Sequence, residues 1–394
     1  MTSAPTSRFP AGAAVTAADL ADDPHPHLAR LRAREPVSWL PALGGWLVTS
    51  RDLALRVMRD ADAYTVDDPR FSTAQVVGPS MLSLDGPAHT RHRDPFARPF
   101  RPAATRERFT AFTEAEAARL VGGLAPAGRA ELRGELAGPL AVAVVTEALG
   151  LEGVDAATVR SWYGAFVEAV SAITAGGAAP AGTAEAYRLL GAAVADAVAA
   201  ARPGSLLAAA ARDEAGLAPA EVAANAAVLM FGGIDTTEGM IANAVLHLLG
   251  HPDQLALVLA DRDLLPAAIE ESLRLEPSAS VVDRYAVRDT ALGGAPVRAG
   301  DLVRVSIAAA NRDPAVFPGP DRYDVRRGNA AEHLAFARGP HFCFGSHLAR
   351  LEARAALTAL LDQLPGLRLD PARPARPRGL VFRRPPRLDV CWDT

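Results

Sequence analysis

The chain has 394 residues and a formal net charge of −4, with 49% hydrophobic and 22% charged residues. This balance suits a globular protein with a large buried core and lacks the basic excess of a nucleic-acid binder. Because only two cysteines occur, Cys343 and Cys391, a disulfide framework and C-x-x-C zinc clusters are excluded.

The N-terminal region shows neither a secretory signal nor a membrane anchor. Residues 1–8 lack a basic segment followed by an apolar one. No uncharged apolar run reaches the roughly 18 residues of a membrane helix. We therefore expect a cytoplasmic, unanchored protein that does not contact a membrane, with a flexible arm over residues 1–20 and one domain over residues 21–394.

The first predicted elements are short. A helix is expected over 24–34, a β-hairpin over 36–41 and 45–49, and a second helix over 51–59 with Ser50 as its N-cap. Residues 64–85 show no sustained periodicity and contain two prolines, which predicts a long loop of a length often connected with function.

The middle of the chain, from residue 89 to about 328, is mainly helical in pattern, and its last part changes to short β runs. Helices are predicted near 104–123, 135–149, 155–174, 185–201, 219–249, 252–260 and 264–275. Strands are predicted at 281–287, 295–297, 302–306, 380–382 and 387–392. The pattern indicates a mainly α protein with small peripheral sheets, an α+β fold.

The segment Phe231–Thr237, FGGIDTT, weakens the longest helical run. Two adjacent glycines cost a helix interior roughly 1 kcal/mol each relative to alanine, and a threonine can bond the carbonyl four residues back. An acid and a hydroxyl, Asp235 and Thr236, follow directly. The pattern indicates either a helix kink with an exposed polar pair or a groove where a small molecule binds and is protonated.

A further pair, Glu271 and Arg274, lies at positions i and i+3 of a predicted helix and therefore on one face. In isolation such a pair is usually a solvated surface pair of little energetic value.

Cys343 lies between Gly339 and Gly345, directly before a leucine- and alanine-rich helical run over 347–357. A helix N-terminus supplies free N–H groups and a positive dipole end, which stabilise a thiolate. The two glycines remove side chains where the backbone must approach something large and flat. The alternative is a buried structural thiol.

Residues 336–345 match F-x-x-G-x-H-x-C-x-G at every specified position. This string resembles the haem-binding signature of the cytochrome P450 family, and the resemblance extends, with motifs in the family's order, from about Pro24 to Trp392. It implies a single triangular domain with one β-rich side and haem b with Cys343 as axial thiolate. Ala337 stands where the family usually has glycine or serine; as one small residue replaces another, little effect is expected.

The resemblance also implies roles for other residues. Thr236 would hydrogen-bond iron-bound dioxygen or its ordered water, and Asp235 would relay protons. Glu271 and Arg274, with Arg327, would brace the fold behind the thiolate. The helix–loop–helix around residues 176–183 would be a lid, or else an ordinary connector. The residues expected to contact haem, the first four through its propionates, are His89, Arg93, Arg284, His341 and Gly345.

The substrate pocket and the redox partners complete the prediction. No G-x-G-x-x-G follows a strand, so electrons from NAD(P)H would come through a separate ferredoxin and its reductase. An acidic ferredoxin would dock on arginines near the cysteine: Arg91, Arg98, Arg101, Arg338, Arg350 and Arg354. The apolar residues that form either the pocket wall, with part of 64–85, or plain core are Val228, Phe231, Val281, Val282 and Phe382.

The resulting hypothesis is a monomeric haem-thiolate monooxygenase. It would insert one oxygen atom of O2 into a small organic molecule, such as a secondary-metabolite intermediate. Oxidative coupling, desaturation and peroxide-driven oxidation at the same haem remain open, as does a haem-binding sensor without turnover. The pair Asp235–Thr236 favours dioxygen, because a peroxide-driven enzyme needs no proton relay.

Overall fold

A computed structural model of the chain describes residues 8–151, 153–174 and 177–394. Its helices up to residue 149 are α1 (Pro10–Ala13), α2 (Ala17–Asp22), α3 (His25–Arg34), α4 (Arg51–Arg59), α5 (Ser72–Val77), α6 (Gly86–Ala97), α7 (Pro102–Leu124) and α8 (Gly138–Leu149). The later helices are α9 (Ala156–Thr174), α10 (Thr183–Ala200), α11 (Leu206–Ala211), α12 (Pro219–Gly250), α13 (Pro252–Ala260), α14 (Leu265–Leu275), α15 (Ile307–Ala310) and α16 (Ser346–Gln363).

The strands are short and form three small sheets. They are β1 (Val37–Leu40), β2 (Gly45–Val48), β3 (Tyr64–Thr65), β4 (Arg129–Glu131), β5 (Val281–Ala286), β6 (Thr290–Leu292), β7 (Ala295–Val297), β8 (Leu302–Ser306), β9 (Arg368–Leu369) and β10 (Asp389–Cys391). The sheet orders are β1-β2-β8-β5-β3, β4-β10-β9 and β6-β7. Since β2 and β8 pair in parallel, the sequence-distant N-terminal hairpin joins the sheet of the second half of the chain.

Helix α12 forms the centre of the helical body. Nearly every residue from Val222 to Leu249 is buried, as expected for a helix that is apolar on all sides. It contacts α8, α9, α10, α14 and α16. Gly233 lets α8 approach closely, because a Cβ at this position would lie 2.7 Å from Cγ2 of Val145.

The five-stranded sheet has its own apolar core on one side of the helical body. Trp46, Val48, Val303 and Val305 of its central strands are at most 2% exposed. In the part of the chain that is described, no helix is both long and apolar enough to cross a bilayer.

Three local predictions were wrong. From residue 8 onward the predicted arm contains α1 and α2, whose Leu20 is buried; residues 1–7 lie outside the described residues. The predicted loop 64–85 contains β3 and α5. Ser50 is the N-cap residue of α4, as predicted, but its side chain makes no capping bond; the Arg51 amide donates to Asp313 (2.9 Å). Residues 380–382 form no strand, although Phe382 makes one bridge to Ala279.

Candidate active site

A cavity of about 370 Å³ lies between α12 and the turn that leads into α16. This volume is within the range of small-molecule sites, which are mostly apolar with a few placed polar groups. The five apolar residues predicted for the pocket all line it: Val228, Phe231, Val281, Val282 and Phe382. Phe231 and Phe382 meet edge to face, with ring centroids 5.3 Å apart, and so join α12 to the C-terminal segment.

Cys343 faces this cavity from the turn before α16. Its backbone N–H donates to the Phe336 carbonyl at 3.0 Å, which closes the loop around the sulfur. Burial raises the pKa of the Cys343 thiol, while the backbone N–H groups of Gly345 and Ser346 and the charge of Arg93 lower it. The expected stabilisation by the helix start is present, but burial outweighs it. Coordination to a metal ion deprotonates such a thiol.

The loop around Cys343 requires glycine at position 339, whereas a Cβ at Gly345 would make only an ordinary contact. Gly339 has φ +78°, and a Cβ there would collide with the Met58 carbonyl oxygen. At Gly345 a Cβ would lie 3.8 Å from the Cys343 sulfur. Ala337 has φ 56°, in the left-handed region that favours glycine. The prediction that alanine has little effect at this position considered size alone and missed this conformational cost.

Basic side chains form one rim of the cavity. Arg93, Arg284 and His341 line it, and the ring of His89 lies 4.4 Å from that of His341. His341 is held by a hydrogen bond of 2.8 Å between its Nε2 and Oδ1 of Asp85. The predicted cluster of four therefore comes together, with an acidic partner that sequence reasoning missed.

This rim can satisfy carboxylates. Burial lowers the pKa of His89 to about 4, so its ring is neutral at pH 7, and its buried Nε2 has no hydrogen-bond partner within the described residues. Burial also lowers the pKa of Arg284 to about 10, although the group stays charged. The Arg284 guanidinium donates to the carbonyl of its neighbour Asp283 at 2.7 Å, which leaves further guanidinium donors for the cavity.

Helix α12 presents Thr236 to the cavity but turns Asp235 away from it. The Thr236 hydroxyl donates to the Gly232 carbonyl one turn earlier. Asp235 is fully buried; it accepts from the Tyr163 hydroxyl (2.8 Å) and from Arg384 (2.7 Å). An exposed Asp-Thr pair is therefore excluded.

Glu271, Arg274 and Arg327 come together in one buried ion network. Arg274 makes two hydrogen bonds to Glu271 (2.7 and 2.8 Å), and Arg327 adds a third (2.8 Å). The two arginines also donate to carbonyl groups between residues 311 and 322. The network fastens α14 to the segment that precedes the Cys343 loop and has no contact with the cavity in the described structure.

Most of the arginines predicted to receive a redox partner already have acidic partners. Arg91 pairs with Glu221, Arg98 with Asp213, Arg350 with Glu270 and Arg354 with Glu114. Within the described residues, the other two of the predicted set, Arg101 and Arg338, form no ion pair.

The cavity joins a cysteine thiol, a rim of basic side chains and a helix that presents a hydroxyl, and this combination is that of a haem-thiolate oxidoreductase. The family model for cytochrome P450 matches residues 202–391. The chain is 39% identical over 367 residues to the cytochrome P450 monooxygenase PikC of Streptomyces venezuelae, covering 89% of this chain and 86% of PikC. The chain belongs to the cytochrome P450 family and is a monooxygenase.

Other similar proteins act in secondary metabolism. The chain is 35% identical to the mycinamicin IV hydroxylase/epoxidase of Micromonospora griseorubida, over 92% of this chain and 94% of the relative. It also superimposes on the solved structure of HmtN, a post-tailoring hydroxylase involved in himastatin biosynthesis, with a TM-score of 0.82 and 29% identity over 100% of both chains. The predicted fold and enzyme class are thereby confirmed, as is the haem iron.

Proposed function

We propose that this monooxygenase inserts one oxygen atom of O2 into a C–H or C=C bond of a largely apolar secondary-metabolite intermediate. Electrons come from NAD(P)H through a separate ferredoxin and its reductase. The observation that carries the proposal is that Cys343 and Thr236 line the same cavity, whose wall is otherwise mainly apolar. The names of the mycinamicin and himastatin enzymes support the substrate class.

The residues of the cavity fit a haem. Cys343 would hold the haem iron through its sulfur, with Gly345 beside it, and Arg93, Arg284 and His341 would receive the propionates together with the unpartnered Nε2 of His89. Bound through a thiolate, haem supplies the chemistry that cleaves the O–O bond.

The protein contributes orientation and protons. Thr236 holds a hydroxyl on the cavity wall; its O–H donates to the Gly232 carbonyl, so its oxygen can accept a hydrogen bond from a protonated oxygen atom or water in the cavity, and Gly232 and Gly233 leave the neighbouring backbone free of side chains. Asp235 relays protons from the opposite face of α12, at the junction with Tyr163 and Arg384. The apolar wall excludes water and orients the substrate.

The test of the function is spectroscopic first and catalytic second. The reduced, carbon-monoxide-bound protein should show the Soret band of a thiolate-ligated haem, and Cys343→Ser should lose it. Reconstitution with ferredoxin, reductase, NADPH and a substrate found by type-I titration should give an oxygenated product. A thiolate band without product from any substrate that binds would instead support a haem sensor.

Thr236→Ala is expected to keep haem and substrate binding but to lower product formed per electron pair at least tenfold, with hydrogen peroxide released, because the hydroxyl that assists proton delivery is removed. Thr237→Ala, on the same cavity wall, is the matched control and should stay close to the parent enzyme. Full coupling in Thr236→Ala would contradict the assigned role.

For the ferredoxin we propose a docking surface around Arg101 and Arg338. These are the two of the six predicted arginines that form no ion pair within the described residues. Arg51, Arg59 and Arg350 all lower the pKa of Arg338 after burial itself, which shows that positive charge is concentrated there. Phe342, 36% exposed and next to Cys343, lies under the Arg338 guanidinium at 5.6 Å. An acidic partner would find both charge and an apolar contact beside the thiolate.

Arg338→Glu and Arg101→Glu should slow reduction by an acidic ferredoxin at least tenfold at low salt, and less at high salt, because the attraction is screened. Arg188→Glu reverses the same charge on α10, outside this cluster, and should leave the rate unchanged. Equal rates for all three variants at low salt would place the docking surface elsewhere.

A further inference from the structure

Thr73 carries a hydroxyl group on the cavity wall that the protein itself does not use. The residue lies in the short helix α5, is 6% exposed and lines the cavity. Its Oγ1 forms no hydrogen bond within the described residues and is not fully covered by protein atoms. Because a hydroxyl shielded from bulk water is costly to leave unsatisfied, the Thr73 hydroxyl is available to a molecule in the cavity.

Three other hydroxyls of the same wall are occupied or enclosed. Those of Thr174 and Thr236 each donate to the carbonyl four residues earlier in their own helix. The Oγ of Ser278 has no partner within the described residues but is fully buried, and a Cβ at Gly239 would lie 2.2 Å from it. The Ser278 hydroxyl is therefore pressed against α12, whereas that of Thr73 remains open.

Helix α5 is held in place, so that the Thr73 hydroxyl has a defined position. The helix packs against α9, α10 and α12. At its end, the hydroxyl of Tyr187 on α10 donates to the carbonyl of the buried Val77 at 3.1 Å. A polar group that the surrounding structure fixes in this way loses little freedom when it binds a ligand and can therefore select ligands by geometry.

The charges of the cavity wall are accounted for without a substrate. Asp283 accepts two hydrogen bonds from Arg304 (2.6 and 2.7 Å), and the basic rim would receive the haem propionates. Glu352 on α16 is 2% exposed and its Oε2 has no partner within the described residues; burial raises its pKa well above the ordinary value, which favours the neutral form. A charged substrate group would thus enter without a counter-ion, at a far higher cost than a neutral one.

We propose that Thr73 is a specificity-determining residue, whose hydroxyl hydrogen-bonds a neutral oxygen of an uncharged, largely apolar substrate. A hydroxyl donates to a carbonyl oxygen or accepts from an alcohol, so both kinds of substrate oxygen fit. A site that bonds such an oxygen rejects analogues that lack it. The inference rests on the proposed function, because it names the polar group of the substrate in that same cavity.

The preference for a neutral ligand can be measured without turnover. Decan-1-ol, decanoate and decyltrimethylammonium share one alkyl chain and differ in the head group. In type-I titrations of the haem-loaded protein at neutral pH, decan-1-ol should bind at least tenfold more tightly than either charged chain. Binding of decanoate or decyltrimethylammonium that equals or exceeds that of decan-1-ol would overturn the proposal.

Variants of two threonines on the same wall then test the hydrogen bond. Thr73→Val keeps the shape and removes the hydroxyl, so it should weaken the binding of decan-1-ol about three- to tenfold. Thr73→Ser keeps the hydroxyl and should retain most of the affinity. Thr174→Val is the matched control and should bind as the parent does, because the Thr174 hydroxyl is bonded within its own helix.

Imidazole, which binds the haem iron directly, checks that the cavity is intact and should bind all four proteins alike. Parent-like binding of decan-1-ol by Thr73→Val would overturn the proposal. An equal loss in Thr73→Ser or in Thr174→Val would also overturn it, since the effect would then be one of packing. A parent protein without a thiolate Soret band would instead refute the proposed function.

Discussion

Ala337 holds a left-handed backbone conformation within the loop that carries Cys343. Its φ of 56° brings Cβ close to the following carbonyl, which costs an L-residue roughly 1–2 kcal/mol. The conformation is kept by hydrogen bonds on both sides: the Ala337 N–H donates to Leu334 at 2.8 Å, and the Arg338 guanidinium donates to the Ala337 carbonyl at 3.0 Å. The site therefore stores strain beside the haem ligand.

Ala337→Gly should raise the free energy of unfolding by roughly 0.5–1 kcal/mol, since the relief of strain exceeds the extra entropy that glycine gives the unfolded chain. Chemical denaturation of the haem-loaded protein measures this.

Two controls separate backbone strain from packing. Ala201→Gly, at φ 50° at the end of α10, should also stabilise. Ala115→Gly, on the exposed face of α7, should cost about 1 kcal/mol. If Ala337→Gly destabilises as Ala115→Gly does, the methyl group contributes more by contact than by strain.

At this scale the sequence predicted the residues within local patterns and missed their partners. Cys343 and Thr236 are marked by motif spacing, and the five apolar wall residues lie in apolar runs of predicted helices or strands. Asp85 is 256 positions from His341, and Arg384 is 149 positions from Asp235. No local pattern connects residues so distant, and Glu352 is defined by the lack of a partner, which only the fold reveals.

At the scale of elements, Asp235 connects α12 to α9 and to the C-terminal segment. Tyr163 of α9 and Arg384 both bond its carboxylate, while Arg384 also lies 3.5 Å from Glu238 one turn later. Glu238 in turn pairs with Arg133. The face of α12 opposite the cavity is therefore held by a chain of buried charges, and breaking such a pair is far costlier than breaking a neutral hydrogen bond.

Arg384→Met should lower the free energy of unfolding by about 3–5 kcal/mol, because it leaves a buried carboxylate without its cation. Tyr163→Phe should cost about 1.5–3 kcal/mol, as one hydrogen bond to a charged group is lost. Tyr187→Phe is the matched control, since its hydroxyl donates to the neutral Val77 carbonyl at 3.1 Å, and should cost about 1 kcal/mol. Equal losses of stability in all three variants would show that the bonds from Arg384 and Tyr163 to the Asp235 carboxylate are worth no more than a hydrogen bond to a neutral carbonyl.

Long elements were predictable and short ones were not. The run 219–249 matches α12 within one residue because its apolar pattern is continuous. Helices α5 and α11 have six residues each, too few for periodicity to show, and are formed by contacts with α9 and α12. Likewise, the parallel pairing of β2 with β8 follows from tertiary packing and has no local sequence signal.

Considered as a whole, the molecule buries many ionisable groups, and most of them respond to acid in the same direction. Burial opposes the charged form of Glu270 and Glu276, but bonds to arginine and histidine prevail and lower the pKa of each to about 2. Burial lowers the pKa of His89 to about 4 and of His247 to about 3. The carboxylates are stabilised as anions, and the two histidines are stabilised as neutral rings.

The free energy of unfolding should therefore fall in two stages as the pH decreases. Below the unfolded histidine pKa of 6.5, the unfolded chain binds a proton that folded His247 does not bind until about pH 3. Below pH 4.5, the pKa of an unfolded glutamate, the unfolded chain binds protons at Glu270 and Glu276, whereas the folded protein binds them only near pH 2.

Denaturant unfolding of the haem-loaded protein between pH 7.5 and pH 3 measures this dependence, at intervals of roughly half a unit to resolve both stages. Glu276→Gln should be less stable than the parent at pH 7, because Arg383 loses its carboxylate partner. The variant should nevertheless lose less stability than the parent as the pH falls below 4.5.

Glu352 affects the pH dependence of stability in the opposite direction. Because its pKa is raised in the folded protein, the free energy of unfolding decreases as the pH rises above 4.5, and Glu352→Gln should remove this decrease. Stability that stays constant from pH 7 to 5 would contradict the neutral, buried state of His247.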